Sequence, residues 1–155
     1  MRKSIINVNK QRVSESEQKW LQIDELARIE VTSEDPNFPI ESALSPAGPG
    51  WRAAESGIQT IRIIFDKPTS LKRIRLEFHE TGKERTQEFV IRWSAEPPAQ
   101  LTEMVRQQWN FGRDSRNEIE DYQVELRSAS VLELELNPNI SEFDSVATLS
   151  RWQLA

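Results

Sequence analysis

The sequence predicts an all-β protein, a sandwich or barrel of eight antiparallel strands, and three observations carry that prediction. Turn chemistry recurs at short intervals: Asp35-Pro36-Asn37-Phe38-Pro39, Ser45-Pro46-Ala47-Gly48-Pro49-Gly50, Asp66-Lys67-Pro68, Thr81-Gly82-Lys83, Glu96-Pro97-Pro98, Gly112-Arg113-Asp114-Ser115 and Asn137-Pro138-Asn139. Proline fixes φ and removes a donor, while Gly, Asn and Asp tolerate the backbone of tight turns. The runs between these stops are about five to eight residues, the length of strands rather than helices. Within them apolar and polar residues alternate, which turns one face inward and the other to water.

The first 25 residues read as an arm ahead of a single β-domain over residues 26–155. Ser14 and Glu17 have capping-box spacing, and Trp20, Ile23 and Ala27 recur at helical intervals. A short N-terminal helix fits there, and so does an edge strand through Trp20-Leu21-Gln22-Ile23. The first core strand is Ala27–Thr32. In Ile58–Phe65, Ile61, Ile63 and Phe65 share a face, with Gln59 preceding them on it. Leu71–Phe78 puts Ile74, Leu76 and Phe78 on one side and Arg73, Arg75 and Glu77 on the other. Glu88–Ser94 aligns Phe89, Ile91 and Trp93. The same period of two joins Val105, Gln107, Trp109 and Phe111, then Tyr122, Val124 and Leu126, then Leu132, Leu134 and Leu136. Thr148–Leu154 closes the set. Trp93, Trp109 and Trp152 alternate in phase with apolar neighbours and belong to the core.

Composition narrows the function. The chain has 155 residues, room for one domain with a sizeable core, and a formal charge of -5. No cysteine is present, which excludes disulfides, zinc ribbons and thiol nucleophiles; the single histidine, His79, excludes a histidine metal cage. No apolar run approaches the roughly 20 residues of a membrane span. Met1-Arg2-Lys3 opens like a signal peptide, but no apolar stretch or cleavage site follows, so the expectation is a soluble cytoplasmic protein. G-x-S-x-G, P-loop, G-x-G-x-x-G and H-E-x-x-H motifs are all missing. Carboxylates cluster at Glu118-Ile119-Glu120-Asp121, and Glu133 and Glu135 share a strand face at a spacing a glycosidase pair would need. Charges on outward strand faces are normally solvated, and the protein is expected not to be an enzyme.

Several stretches carry a resemblance. Ala27–Thr32 runs into Ser33-Glu34, and Pro39-Ile40-Glu41-Ser42 leads to Ala43-Leu44. Trp51-Arg52-Ala53-Ala54-Glu55 follows. Next come Ile61-Arg62-Ile63-Ile64-Phe65-Asp66-Lys67-Pro68 and Leu71-Lys72-Arg73-Ile74-Arg75-Leu76. Phe89-Val90-Ile91-Arg92-Trp93-Ser94 and a closing Ala147–Leu154 complete the order. Across residues 27–155 this order resembles the discoidin family, the coagulation factor 5/8 C-terminal type, whose fold is a galactose-binding-like jelly roll. Ser45-Pro46 stands where the family usually has Asp-Gly, the two cysteines of secreted members are absent, and Leu132-Glu133-Leu134-Glu135-Leu136 replaces a basic strand.

The resemblance implies a non-catalytic binding module that takes carbohydrate through loops at one end of the sandwich. An intracellular protein–protein adaptor is the alternative. Carried onto this chain, the ligand loops are those of Trp51, Arg52 and Glu55 and of His79, Glu80 and Arg85. Planar arginine forks suit paired hydroxyls or an acidic sugar's carboxylate. Trp51 also fits a packed plug at the sandwich end, His79 also fits an exposed turn residue, and Arg85 is expected as an exposed loop charge. The resemblance further implies a last strand beside the first, with Leu149, Trp152 and Leu154 against Ile29 and Val31. No cofactor is implied beyond a weak structural calcium on backbone carbonyls near Ser42–Pro46, since any ion here needs oxygen ligands. Nucleic acid is disfavoured as a partner: Lys72, Arg73, Arg75, Lys83, Arg85 and Arg92 are interleaved with Glu77, Glu80, Glu84 and Glu88. The partner is therefore a glycan or a protein, and the oligomeric state stays open.

Overall fold

A computed structural model describes residues 19–95 and 100–155. The Ser14/Glu17 capping box lies outside the described residues. Among the described residues ten elements follow in order: α1 (Ile23–Leu26), β1 (Ala27–Val31), α2 (Glu41–Leu44), β2 (Trp51–Ser56), β3 (Gln59–His79), β4 (Arg85–Ser94), β5 (Thr102–Phe111), β6 (Asn117–Asn137), β7 (Val146–Leu149) and β8 (Arg151–Leu154). The architecture is the all-β jelly-roll sandwich, with antiparallel pairing throughout.

Two long strands build both layers. β3 and β6 each run 21 residues and bend midway. The first half of β3 pairs with β1 and with the end of β6 (Ile61↔Leu134), and that end of β6 also pairs with β4, which carries β5. The second half of β3 pairs with the start of β6 (Ile74↔Tyr122) and with β8 (Leu76↔Trp152). Four expected strands are thus two continuous ones. The Asp66-Lys67-Pro68 turn is the bend in β3, where register breaks between Ile64 and Thr69. Pro68 has no N–H for the ladder, so pairing lapses there while the chain keeps running. In β6 the bend contains Ser128 at φ 61, a left-handed residue that re-aims the strand as a bulge does.

Three further expectations change. Trp51–Ser56 is strand β2 and not a loop, because Trp51 and Ala53 alternate inward against β7. Thr148–Leu154 splits at Ser150 into β7 and β8. The closing strand lies beside β3 rather than beside β1, since the second half of β3 has an edge to offer and β1 occupies only its first half. Trp152 still lines one hollow, of about 980 Å³, together with Ile29 and Val31.

The core fills the space between the layers. Ile61, Ile63, Leu132 and Leu134 from one layer meet Leu71, Ile74, Leu76, Trp152 and Leu154 from the other, all fully buried. Phe78 and Phe89 stack across that space with ring centroids 5.5 Å apart. Trp93 and Trp109 are half-buried against this core rather than inside it. On the outer face, Glu133 is nearly buried between Arg62 (Nε to Oε1, 3.1 Å) and Arg92 (3.6 Å), and Arg92 also reaches Glu135 at 3.4 Å. The carboxylates with glycosidase spacing are therefore rungs of a salt ladder.

Candidate functional site

One end of the sandwich gathers the start of β2, the turn between β3 and β4, and the connection between β6 and β7. Gly50 allows the approach: its φ is +100, and a Cβ there would lie 2.9 Å from the Leu149 carbonyl oxygen. Between these segments lies a cleft of about 490 Å³ lined by Trp51, Arg52, His79, Glu80 and Arg85, with Phe38, Lys83, Asp144 and Thr148 among its other walls. Five of the six residues singled out in the sequence thus share one cavity. Glu55 does not; it is exposed further along β2, outside the lining.

Trp51 is a plug. Only 1% of it is exposed, and its indole N–H donates to the Ser33 carbonyl at 3.2 Å. Ser33 is fixed in turn, its hydroxyl donating to Gln59 Oε1 at 2.7 Å. The ring forms floor, not platform.

Arg85 departs furthest from expectation. Its side chain is only 3% exposed, because Arg85 opens β4 facing inward and the guanidinium lies over the Phe111 ring at 4.5 Å. Its Nε donates to Glu80 Oε1 (2.6 Å) and its Nη1 to Gln87 Oε1 (3.1 Å) and the Pro138 carbonyl (2.7 Å). The expected exposed loop charge is a buried clamp holding three acceptors. Burial pushes Glu80 up, but the Arg85 hydrogen bond and the N–H groups of Gly82 and Lys83 outweigh it and bring Glu80 down to about 2.

The rim is stapled and the mouth is open. Lys83 Nζ donates to Asp144 at 3.0 Å and to Glu142 at 3.5 Å, joining the β3–β4 turn to the β6–β7 connection. The Asp144 hydrogen bond holds Lys83 above its ordinary pKa. His79 Nδ1 lies 2.6 Å from Asn117 Oδ1, an acceptor, so Nδ1 carries a proton and a neutral ring presents the Nε2 lone pair. Arg52 is exposed, and while its backbone bonds Phe38 and Asp35, its side chain has no hydrogen-bond or ion-pair partner among the described residues. It is the cleft's uncommitted fork.

Sequence reasoning did not single out Phe143, which is 81% exposed and precedes Asp144 of the cleft wall in the chain without itself lining the cleft. Its signal was available: one large ring in the polar, turn-rich stretch Asn137–Ser145, with no apolar periodicity to bury it. The larger hollow near α1 is lined by Ile, Leu and Trp side chains together with Asp24, Glu34, Glu41 and Gln153.

The oxygens expected to hold calcium do not fit that role. The Arg151 guanidinium donates to the Ser45 carbonyl and, at 3.3 Å, to the Gly48 carbonyl, while the Ser42 carbonyl accepts from Gly50 N–H at 3.2 Å. A fixed positive charge sits among the would-be ligands, and no group of three or more His, Cys, Asp or Glu side chains could hold a metal among the described residues. Added calcium or chelator should leave the melting midpoint unchanged in a calorimetric scan. Arg151→Ala should lower stability by about 2 kcal/mol, the loss of hydrogen bonds from a charged donor.

The basic strand is likewise neutralised: Arg73 forks onto Asp121 (2.9 and 2.6 Å) and Arg75 pairs with Glu77 at 2.6 Å. Among the described residues no helix is long and apolar enough to cross a membrane.

No family model and no curated protein sequence matches the chain. Solved structures do. A GH29 fucosidase from Ruminococcus gnavus, solved with fucose, superposes with a TM-score of 0.71 at 12% identity over 97% of this chain, which spans only 30% of that enzyme. A family 32 carbohydrate-binding module from Clostridium perfringens, solved with GalNAc-β-1,3-galactose, gives 0.64 at 12% identity over 88% of this chain and 99% of the module. The family 32 module of C. perfringens NanJ, solved with galactose, gives 0.60 at 15% over 87% of this chain and 96% of its own. Identities this low establish architecture and nothing more: in fold, the protein is a discoidin-like, galactose-binding-like jelly roll.

Proposed function

We propose that the protein is a non-catalytic carbohydrate-binding module whose ligand occupies the cleft between Arg52, His79 and the Asp144 wall. The observation that carries this reading is the uncommitted Arg52 guanidinium lining a concave, polar cleft; Phe143, exposed and next to the lining residue Asp144 in the chain, is the ring proposed to reach the ligand from outside the lining. Sugar sites combine these parts. A planar fork meets paired hydroxyls or a carboxylate, and a ring covers the apolar face of the sugar. His79 Nε2 supplies an acceptor for one hydroxyl. Glu80 and Arg85 shape the wall and are spent on each other. The bound sugars of the similar modules support the same reading. A flat apolar patch would have favoured a protein-docking adaptor; this end is concave and polar.

Open sites of this kind bind weakly, with dissociation constants on the order of 1 mM, about -4 kcal/mol. Titration with galactose, GalNAc, fucose and galacturonic acid should shift amide resonances of the cleft in NMR spectra. Arg52→Ala and Phe143→Ala should each weaken binding about tenfold, roughly 1.4 kcal/mol. Both should leave the melting midpoint nearly unchanged, because the two side chains are exposed. Wild-type protein whose cleft resonances stay still at tens of millimolar of every sugar would overturn the proposal.

A further inference from the structure

Behind the cleft wall runs a line of polar groups, buried at Arg85, Gln87 and Glu118 and half-buried at Glu80, Glu120 and Tyr122, that sugar binding does not itself require. Glu118, Glu120 and Tyr122 alternate on the inward face of β6, so their side chains project to the same side of the strand. Glu118 is 0% exposed. Its Oε1 accepts from Gln87 Nε2 at 3.0 Å, and its Oε2 is buried with no hydrogen-bond donor. Glu120 Oε2 accepts from the Tyr122 hydroxyl at 3.1 Å. On the other side Gln87 Oε1 accepts from Arg85 Nη1, and Arg85 Nε holds Glu80 in the cleft. The line therefore reads Glu80, Arg85, Gln87, Glu118, Glu120, Tyr122.

We propose that Glu118 is a positioning residue, a buried carboxylic acid whose single proton keeps Arg85 on Glu80 and so fixes the cleft wall. The inference rests on the cleft being the ligand site, though its test reads Arg85 and no sugar. An ionised oxygen in a dry interior with no donor is the costly form of the group. A proton on Oε2 removes that charge and gives the orphaned oxygen something to donate towards Glu120. Burial first, then the neighbouring Glu120 carboxylate, which can accept only from a protonated Glu118, push Glu118 up to about 8, against the opposing pull of Gln87 and Arg85.

The groups facing Glu118 decide what happens when the proton leaves. β4 contributes Arg85 and Gln87, the β3–β4 turn Glu80, and β6 Glu120 and Tyr122. Phe78 lies opposite on β3, and Phe111 of β5 lies under Arg85. His79 is turned outward onto Asn117. Arg85 is the one cation in this set. An ionised Glu118 competes with Glu80 for it, and Arg85 swings inward.

Two NMR readouts on the intact chain test this. The Glu118 carboxyl carbon should titrate with a midpoint near 8, while the Arg85 Nε–Hε cross-peak stays sharp at about pH 6.5 and moves or vanishes above about pH 8.5. In Glu118→Gln, which keeps a neutral acceptor for Gln87, the Arg85 peak should persist to about pH 9.5. A Glu118 midpoint in the ordinary carboxylate range overturns the proposal. So does an Arg85 peak that ignores pH in the wild type, or one lost at the same pH in both proteins. If Glu118→Gln does not fold, the wild-type titration decides alone.

Discussion

Removing residues 147–155 is expected to leave a chain with no cooperative melt. The segment carries β8 and all but the first residue of β7, and with them Ala147, Leu149, Trp152 and Leu154, all 0% exposed. Truncating a buried Trp to Ala typically costs about 3–5 kcal/mol and a buried Leu about 2–5. Three such losses together reach or exceed the roughly 5–15 kcal/mol that holds a domain folded. The deletion also strips β2 of β7, its one paired strand among the described residues, and leaves the second half of β3 with an open edge. Exposed edges and apolar faces recruit other chains, so the product should aggregate. Circular dichroism and calorimetry of the truncated chain check this; a sharp transition near the parent midpoint would mean that the sandwich closes without these strands.

Arg85→Ala is expected to lower stability by about 3–5 kcal/mol, the usual cost of removing one partner from a buried ion pair. It takes the hydrogen-bond donors from Glu80, Gln87 and the Pro138 carbonyl and uncovers the Phe111 ring. At about 2–4 °C per kcal/mol for a chain of this size, the midpoint should fall roughly 6–20 °C. Arg52→Ala is the control, an exposed arginine in the same cleft whose loss should change stability by less than about 0.5 kcal/mol. The pH dependence carries a second signature. Glu80 is held below its ordinary 4.5, so its contribution is present above that value and is lost as pH falls towards about 2. Without Arg85 the largest of the forces holding Glu80 down is gone, and the acid-side decline should start at higher pH. Equal midpoints for Arg85→Ala and wild type would show that the guanidinium is not the buried clamp described here.

The legible part of the fold is the part written in local periodicity. Ile61, Ile63 and Phe65 on one face, and Leu132, Leu134 and Leu136 on another, are inward in the structure because a period of two leaves a strand one apolar side to bury. Pro68 and the stretch around Ser128 are harder. A proline between two apolar runs reads as a turn, yet a strand paired on both sides can bend there and continue, and the sequence does not say which neighbours will hold it. The partner of β8 is equally invisible, since apolar alternation states that a strand is half-buried and not which edge it joins.

For the cleft, the resemblance carried by the sequence determined which segments to look at: the Trp51-Arg52 stretch and the His79–Arg85 stretch both border it. Tertiary structure decided what each side chain does there. Arg52 and Arg85 are the same residue type, Arg52 between Trp51 and Ala53 and Arg85 in the polar run Lys83–Glu88, and the local sequence points the wrong way for both. One faces water uncommitted, while the other is sealed under Phe111 and spent on Glu80, because inward or outward is fixed by the strand on which a residue falls and by what packs over it. Phe143, a ring in a polar stretch with no apolar periodicity, is left in solvent by the β6–β7 connection. Glu118 sits in an acidic run that reads as solvated, and only its inward register on β6 buries it. Chemistry belongs to the residue type, whereas charge state and availability belong to the environment, and that environment is assembled from segments far apart in the chain.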